Sequence, residues 1–208
     1  MLIIGADEVG RGSLAGPVTV GAVMTPEELS GMDVTDSKKL SQGRRQAIDK
    51  VLRAHPNVKF ALASRPATDV DRLGIAECLK QCFVEVVQKM MVAAHGQKVR
   101  IRIDGEAIKG FPFQAEYIIK GDDKVWHIGA ASIIAKVWRD AYMTEESKNH
   151  LGYGWEHNSG YGTSGHTDAI RAHGLSPLHR ATFCRSFTKP IVVAESEPAS
   201  NIISDLFG

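Results

Sequence analysis

Apolar and polar positions along the chain fall into segments of two distinct periods. Leu2-Ile3-Ile4-Gly5-Ala6 reads as a strand that runs into an acidic pair and a glycine-rich turn, and Pro17 to Met24 reads as a second strand with a hairpin as the economical link. Val58 to Ala63 alternates well enough for a third. Val99-Arg100-Ile101-Arg102-Ile103-Asp104 alternates apolar with basic and ends at Asp104-Gly105, and Tyr117-Ile118-Ile119-Lys120 is a short fifth candidate. The clearest helix follows Thr68 and Asp69: apolar residues recur at 75, 78, 79, 82, 83, 86, 87, 90, 91 and 94, and the stripe stops at His95-Gly96. A second helix is predicted from about Ile128 to Met143, where Gly129, Ala130, Ala131 and Ser132 would allow close backbone approach. Strands first, then alternation of helix and strand, predict a mixed sheet flanked by helices. No internal repeat interrupts this order.

Length and composition narrow the class. A chain of 208 residues with 43% hydrophobic and 24% charged residues is an ordinary globular chain, which excludes collagen-like and wholly disordered readings. No apolar run reaches the roughly 18 residues of a membrane span, and the first residues lack the basic start of a signal peptide, so a cytoplasmic protein away from membranes is expected. Cys78, Cys82 and Cys184 are too few for a disulfide framework. Cys78 and Cys82 would share a helix face as half of a zinc site, but buried small hydrophobes at helical spacing are the commoner case.

The formal net charge of +1 argues against a nucleic-acid partner until its placement is considered. Residues 191–208 hold Glu195, Glu197 and Asp205 and no Lys or Arg, so that stretch carries −3 and residues 1–190 carry +4. The chain divides into an expected mildly basic body, 1–190, and a flexible acidic tail, 191–208, with a Pro/Ser-containing linker inside it.

Acidic residues sit at the ends of three predicted strands: Asp7-Glu8 after the first, Asp104 after the fourth, Asp122 just after the fifth. Strand ends of one sheet converge in space, and carboxylates brought together raise each other's pKa unless cations sit among them. Hard oxygen ligands favour Mg²⁺ or Mn²⁺ over zinc, and two such ions can bridge a scissile phosphate. Taken singly, each carboxylate reads more readily as a turn residue or cap. The neighbourhood changes the balance, because Gly10-Arg11-Gly12 follows the first pair and Lys120-Gly121 precedes the third site, and glycine lets a backbone approach a phosphate. There is no G-x-G-x-x-G and no Gly-Lys-Ser/Thr, which weakens a dinucleotide or P-loop reading. Ser132 and Lys136 are four apart on one helix face and would suit phosphate contact. Four histidines of the last third, His157, His166, His173 and His179, lack cysteine partners at zinc spacing.

With these residues in view, the sequence resembles the ribonuclease HII (type 2 ribonuclease H) family from about residue 3 to residue 188. The segments that carry the resemblance are Asp7 to Gly12, Asp36-Ser37-Lys38-Lys39-Leu40, Ile103-Asp104-Gly105, Lys120-Gly121-Asp122, Ala130 to Asp140, Ser159-Gly160-Tyr161 and His179-Arg180, in the family's order. The resemblance implies an α/β, ribonuclease H-like fold: a mixed five-stranded sheet flanked by helices, with a helical C-terminal part. It implies a metal-dependent endonuclease that cuts the RNA strand of RNA/DNA hybrids and cuts 5′ of ribonucleotides embedded in duplex DNA, leaving 3′-hydroxyl and 5′-phosphate ends. Asp7, Glu8, Asp104 and Asp122 match the family's catalytic, metal-binding carboxylates. Gly10, Arg11 and Gly12 match the loop that meets the 2′-hydroxyl and adjacent phosphate, Tyr161 the tyrosine that packs on the sugar, and Lys38 and Lys39 a segment near the nucleic acid. Many bacterial members carry Lys where this chain has Ser159. The related ribonuclease HIII would change the Gly-Arg-Gly loop, which is intact here. Another ribonuclease H-fold nuclease, such as a junction resolvase, and a hybrid-binding module without turnover are the competing readings.

At the C-terminus Ser204-Asp205-Leu206-Phe207 looks like the peptide by which bacterial replication proteins bind the sliding clamp, although Ile203 stands where Gln is usual. The alternative is that these apolar residues pack back onto the domain. A monomer is expected.

Overall fold

The computed structural model describes residues 1–26, 34 and 40–188. Five strands, β1 (Leu2–Val9), β2 (Val18–Pro26), β3 (Lys59–Arg65), β4 (Val99–Asp104) and β5 (Glu116–Ile118), form one sheet in the order β3-β2-β1-β4-β5. The β1–β2 and β2–β3 pairs are antiparallel and the β1–β4 and β4–β5 pairs parallel, so the sheet is mixed as expected. The acidic pair lies within β1 rather than after it, because Asp7 and Glu8 continue the ladder with β2 opposite Gly21 and Val20.

Helices α1 (Gln42–Ala54), α2 (Ala67–Leu73), α3 (Ile75–Ala93), α4 (Gly121–Lys124) and α5 (Trp126–Ser147) cover the sheet, and α6 (Trp155–Asn158), α7 (Ser164–His173) and α8 (Ala181–Cys184) form the C-terminal part. The apolar stripe of α3 buries Cys78, Leu79, Cys82, Phe83, Val86, Val87 and Met90 against Val18, Val20, Ala22 and Met24 of β2 and their neighbours. Both cysteines are therefore core, and burial pushes the Cys82 thiol up to about 12. Thr68 and Asp69 belong to the separate helix α2, since Gly74 with φ +81 breaks the chain before α3 starts.

On the opposite face α5 packs with α1, burying Ala130, Ala131, Ile133 and Ile134 against Val23, Ile48 and Leu52. The approach is close because both sides are small. A methyl group on Gly5 of β1 would lie 2.2 Å from the main-chain carbon of His127, and one on Gly21 of β2 would lie 2.6 Å from the carbonyl oxygen of Ala131. This contact fixes the first turns of α5 over the C-terminal end of β1.

A third cluster joins the β1–β2 connection to the C-terminal part: Leu14 and Ala15 pack with Met143, Tyr153, Trp155, Ala169, Ile170 and Cys184. Among the described residues no helix is long and apolar enough to cross a membrane.

Candidate active site

The parallel ladder of β1 with β4 ends at Ala6 opposite Ile103, so the next residues, Asp7 and Asp104, emerge side by side at the strand ends. Carboxylate oxygens of Asp7, Glu8 and Asp104 all lie within 4.8 Å of one another. Each is held. Asp7 Oδ1 accepts the Glu8 N–H at 2.7 Å, Asp7 also takes a hydrogen bond from the Ser132 side chain, and Asp104 Oδ1 accepts the Gly121 N–H at 2.6 Å. Asp122, the fourth expected carboxylate, is 2% exposed on α4. It stands outside the trio that shares the 4.8 Å spacing, yet its charge contributes to the field on Asp7. Lys120 reaches this turn in the left-handed conformation, φ +55, and so delivers Gly121 to Asp104 and Asp122 to the interior.

Electrostatics follow from the crowding. Burial, then the Glu8 charge, and further Asp104 and Asp122, hold the Asp7 carboxyl well above the usual range, with the Ser132 bond opposing. Burial likewise raises Glu8, against the pull of Arg11, whose guanidinium lies 3.5 Å from Glu8 Oε1. A cluster of hard oxygens that repel one another at the end of a sheet fits a divalent cation and offers no soft ligand for zinc.

Beside the carboxylates runs the 10–17 loop, fixed from beneath. Gly10, φ +80, donates its N–H to the Tyr161 phenol oxygen at 3.2 Å. Leu14 and Ala15 donate to the Gly160 carbonyl at 2.8 and 3.2 Å. Arg139 is fully buried: Nε donates to the Pro17 carbonyl, Nη1 to the Ser159 carbonyl, and Nη2 to Ser13 Oγ and the Ala15 carbonyl. Arg180, also fully buried, donates to the carbonyls of Gly16 and Arg11, and burial followed by the charge of Arg139 brings it down to about 10. With the carbonyls engaged, the amides of exposed Arg11 and Gly12 have no partner among the described residues.

These parts line one cleft of about 480 Å³ that includes Asp7, Glu8, Asp104, Gly10, Arg11, Gly12, Ser132, Lys136 and Tyr161. Nine of the twelve residues expected at the site thus line this cleft, and a tenth, Asp122, lies outside its lining but acts on Asp7 through its charge. Lys38 and Lys39 lie outside the described residues. Lys136 pairs with Asp140 at 2.8 Å and stands 5.3 Å from the centroid of the Tyr161 ring. Ser132, expected to contact phosphate, lines this cleft and is bonded to Asp7.

The family model of ribonuclease HII matches residues 4–186. The chain belongs to the ribonuclease HII family. The ribonuclease HII of Shouchella clausii is 37% identical over 182 residues, covering 87% of this chain and 68% of that protein. Two solved structures share the fold. The ribonuclease HII of Archaeoglobus fulgidus, solved in complex with PCNA, superposes with a TM-score of 0.76 at 22% identity over 91% of this chain and 98% of that one. Bst-RNase HIII in complex with Mn²⁺ gives 0.73 at 18% identity over 90% and 69%. The protein is accordingly a ribonuclease H-type nuclease, a hydrolase.

As a ribonuclease HII, the chain uses more of its sequence at the cleft than its motifs reveal. Arg45 of α1 lines the carboxylate cleft and the two smaller ones beside it. Its signal was weak, because α1 is a mostly polar helix whose start is marked only by Ser41, which accepts the Arg44 N–H. Arg139 follows Ser132 by seven residues and Lys136 by three, the spacing of a common helix face, but the same spacing holds for a solvated arginine. Two of the four histidines bond to protein groups: His179 Nδ1 accepts the Ser176 N–H, His166 and His179 meet at 3.1 Å through their Nε2 atoms, and Trp155 Nε1 donates to His166.

Proposed function

We propose that the protein cleaves the RNA strand of RNA/DNA hybrids and cuts on the 5′ side of ribonucleotides embedded in duplex DNA, by two-metal-ion hydrolysis in the cytoplasm. One observation carries the reading: three carboxylates, a loop with two amides that have no partner among the described residues, and the Tyr161 ring share a single cleft. In this reading Asp7, Glu8, Asp104 and Asp122 hold Mg²⁺ or Mn²⁺, which suits their all-oxygen donors and mutual repulsion. Bound cations would supply Lewis-acid activation of water and neutralise charge on the leaving oxygen. The Mn²⁺ complex of Bst-RNase HIII supports the metal class.

The chain's own groups do the recognition. The Arg11 and Gly12 amides meet the 2′-hydroxyl and its neighbouring phosphate, the group that separates ribose from deoxyribose. Tyr161 packs on the next sugar with its hydroxyl held by Gly10, and Lys136, with Lys38 and Lys39, offsets phosphate charge. Ser132 serves by orienting Asp7. The phosphodiester then opens with the 3′-hydroxyl on the upstream fragment and the 5′-phosphate on the ribonucleotide.

The test is one duplex with a single ribonucleotide beside an all-DNA control, in Mg²⁺ and in Mn²⁺, with product ends mapped. Cutting only at the 5′ side of the ribonucleotide is expected. Equal cutting of both duplexes would refute ribose reading, and no cutting in either metal would refute the activity.

The body 1–190 is read as one catalytic domain acting as a monomer, since a single copy holds the whole cleft. A sliding clamp is the proposed protein partner through Ser204 to Phe207, a segment outside the described residues; the Archaeoglobus fulgidus complex with PCNA supports this. Leu206→Ala with Phe207→Ala should abolish clamp binding and spare oligonucleotide cleavage. A wild type that does not bind the clamp removes the idea.

A further inference from the structure

We infer that Arg139 is a positioning residue for sugar recognition: one guanidinium sets the spacing between the 10–17 loop and the Tyr161 segment, and thereby the enzyme's preference for ribose over deoxyribose. This rests on the proposed reading of that loop and Tyr161 as the parts that meet the sugar.

Arg139 touches both parts at once. Nη2 and Nε grip the loop at Ser13, Ala15 and Pro17, while Nη1 grips the Ser159 carbonyl at 2.8 Å, two residues before Tyr161. Its central carbon lies 5.4 Å from the centroid of the Tyr161 ring. A methyl group on Gly10 would fall 2.2 Å from Nε, so the loop lies directly against the Arg139 side chain. Across this joint runs the Gly10 N–H bond to the tyrosine hydroxyl.

The charge is an expensive choice for mere support. Arg139 has no carboxylate at ion-pair distance among the described residues, and a buried guanidinium paired only with carbonyls and a hydroxyl is a poor source of stability. What it does supply is a planar fork with fixed directions, which one side chain can present to two chain segments simultaneously. Lysine has a single nitrogen and cannot hold four acceptors spread over both segments. The Ala15 and Pro17 carbonyls are drawn inward to Arg139 and the Arg11 carbonyl to Arg180, so the loop that lines the cleft with Arg11 and Gly12 is tied at its far end to Arg139, where a small displacement costs recognition.

The experiment compares binding of a single-ribonucleotide duplex and an all-DNA duplex of the same sequence, in Ca²⁺, for wild type, Arg139→Lys and Ser13→Ala. Single-turnover cleavage and thermal melting accompany each. Arg139→Lys should reduce the ribose preference by about tenfold or more, with the loss falling on the ribonucleotide duplex and not on the DNA control. Ser13→Ala removes one of the four bonds and should move the ratio the same way by about twofold to fivefold, which keeps the test decisive should Arg139→Lys not fold. A folded variant that melts earlier but keeps the wild-type ratio overturns the inference and leaves the family's activity standing. A wild type with no ribose preference overturns the underlying reading, and this inference with it.

Discussion

The N–H of Gly121 donates to Oδ1 of Asp104 at 2.6 Å, so the turn that delivers Asp122 also aims the carboxylate at the end of β4. Asp104→Asn tests charge separately from geometry, because an asparagine oxygen can keep the Gly121 bond. Single-turnover cleavage of an RNA/DNA hybrid should fall on the order of a thousandfold. Hybrid binding measured by filter retention should hold or tighten, since a negative charge near phosphate is gone. Cleavage within tenfold of wild type would show that Asp104 is no metal ligand.

The strands and the two long helices were legible because burial imposes their periods: β2 puts Val18, Val20, Ala22 and Met24 on one face, and α3 repeats its apolar stripe over five turns. That Asp7 and Asp104 would come together was legible because parallel strand ends meet wherever the register puts them, here Ala6 opposite Ile103, whereas Asp122 sits on α4. Local period says nothing about partners. Helix α1 escaped because its buried face is only Ile48, Asp49 and Leu52, and the burial of Arg139 escaped because a fully buried guanidinium looks, in sequence, like any helical arginine. The strand β5 is one residue earlier than Tyr117 and ends at Ile118, since the left-handed turn at Lys120 is invisible to an apolar pattern.

Two glycines should respond in opposite directions to the same change. Gly5→Ala places a carbon 2.2 Å from the main chain of His127, and neither backbone can yield, so destabilisation of about 3 kcal/mol or more is expected. Gly43 lies in the first turn of α1, where an added methyl meets nothing within 4 Å. Gly43→Ala should stabilise by about 0.5–1 kcal/mol, through helix propensity and a less flexible unfolded chain. Urea denaturation of both variants reads the two signs, and equal midpoints would contradict the packing of α5 on β1.

His127 gives the protein an acid liability. Its Nε2 lies 2.9 Å from Thr25 Oγ1, and burial, then the charge of Arg102, push it down to about 4. A histidine that charges less readily when folded binds more protons unfolded, so stability is lost as pH falls from about 6.5 towards 4. Asp7 and Glu8, raised in the fold, work in the opposite direction, and the wild-type curve alone mixes these effects. The stability difference between wild type and His127→Gln isolates the histidine. It should shift by about 2 kcal/mol against the wild type between pH 7 and pH 5. A pH-independent difference would mean that His127 titrates as if unburied.

Ser159→Lys should restore a cation that many bacterial relatives carry before the Gly-Tyr pair. Ser159 already holds φ +47 and lines the smaller cleft next to Lys136 and Tyr161, so a lysine there pays a left-handed backbone cost similar to that of the serine. The Ser159 carbonyl, which receives Arg139 Nη1, is main chain and survives the change. Duplex binding should tighten at low salt, and the slope of log affinity against log salt should steepen by about one, the signature of one added phosphate contact. Ribose preference should stay level, because a phosphate contact is blind to the sugar. An unchanged slope would place the new ammonium outside the path of the nucleic acid, and a changed preference would tie position 159 to the sugar through Arg139.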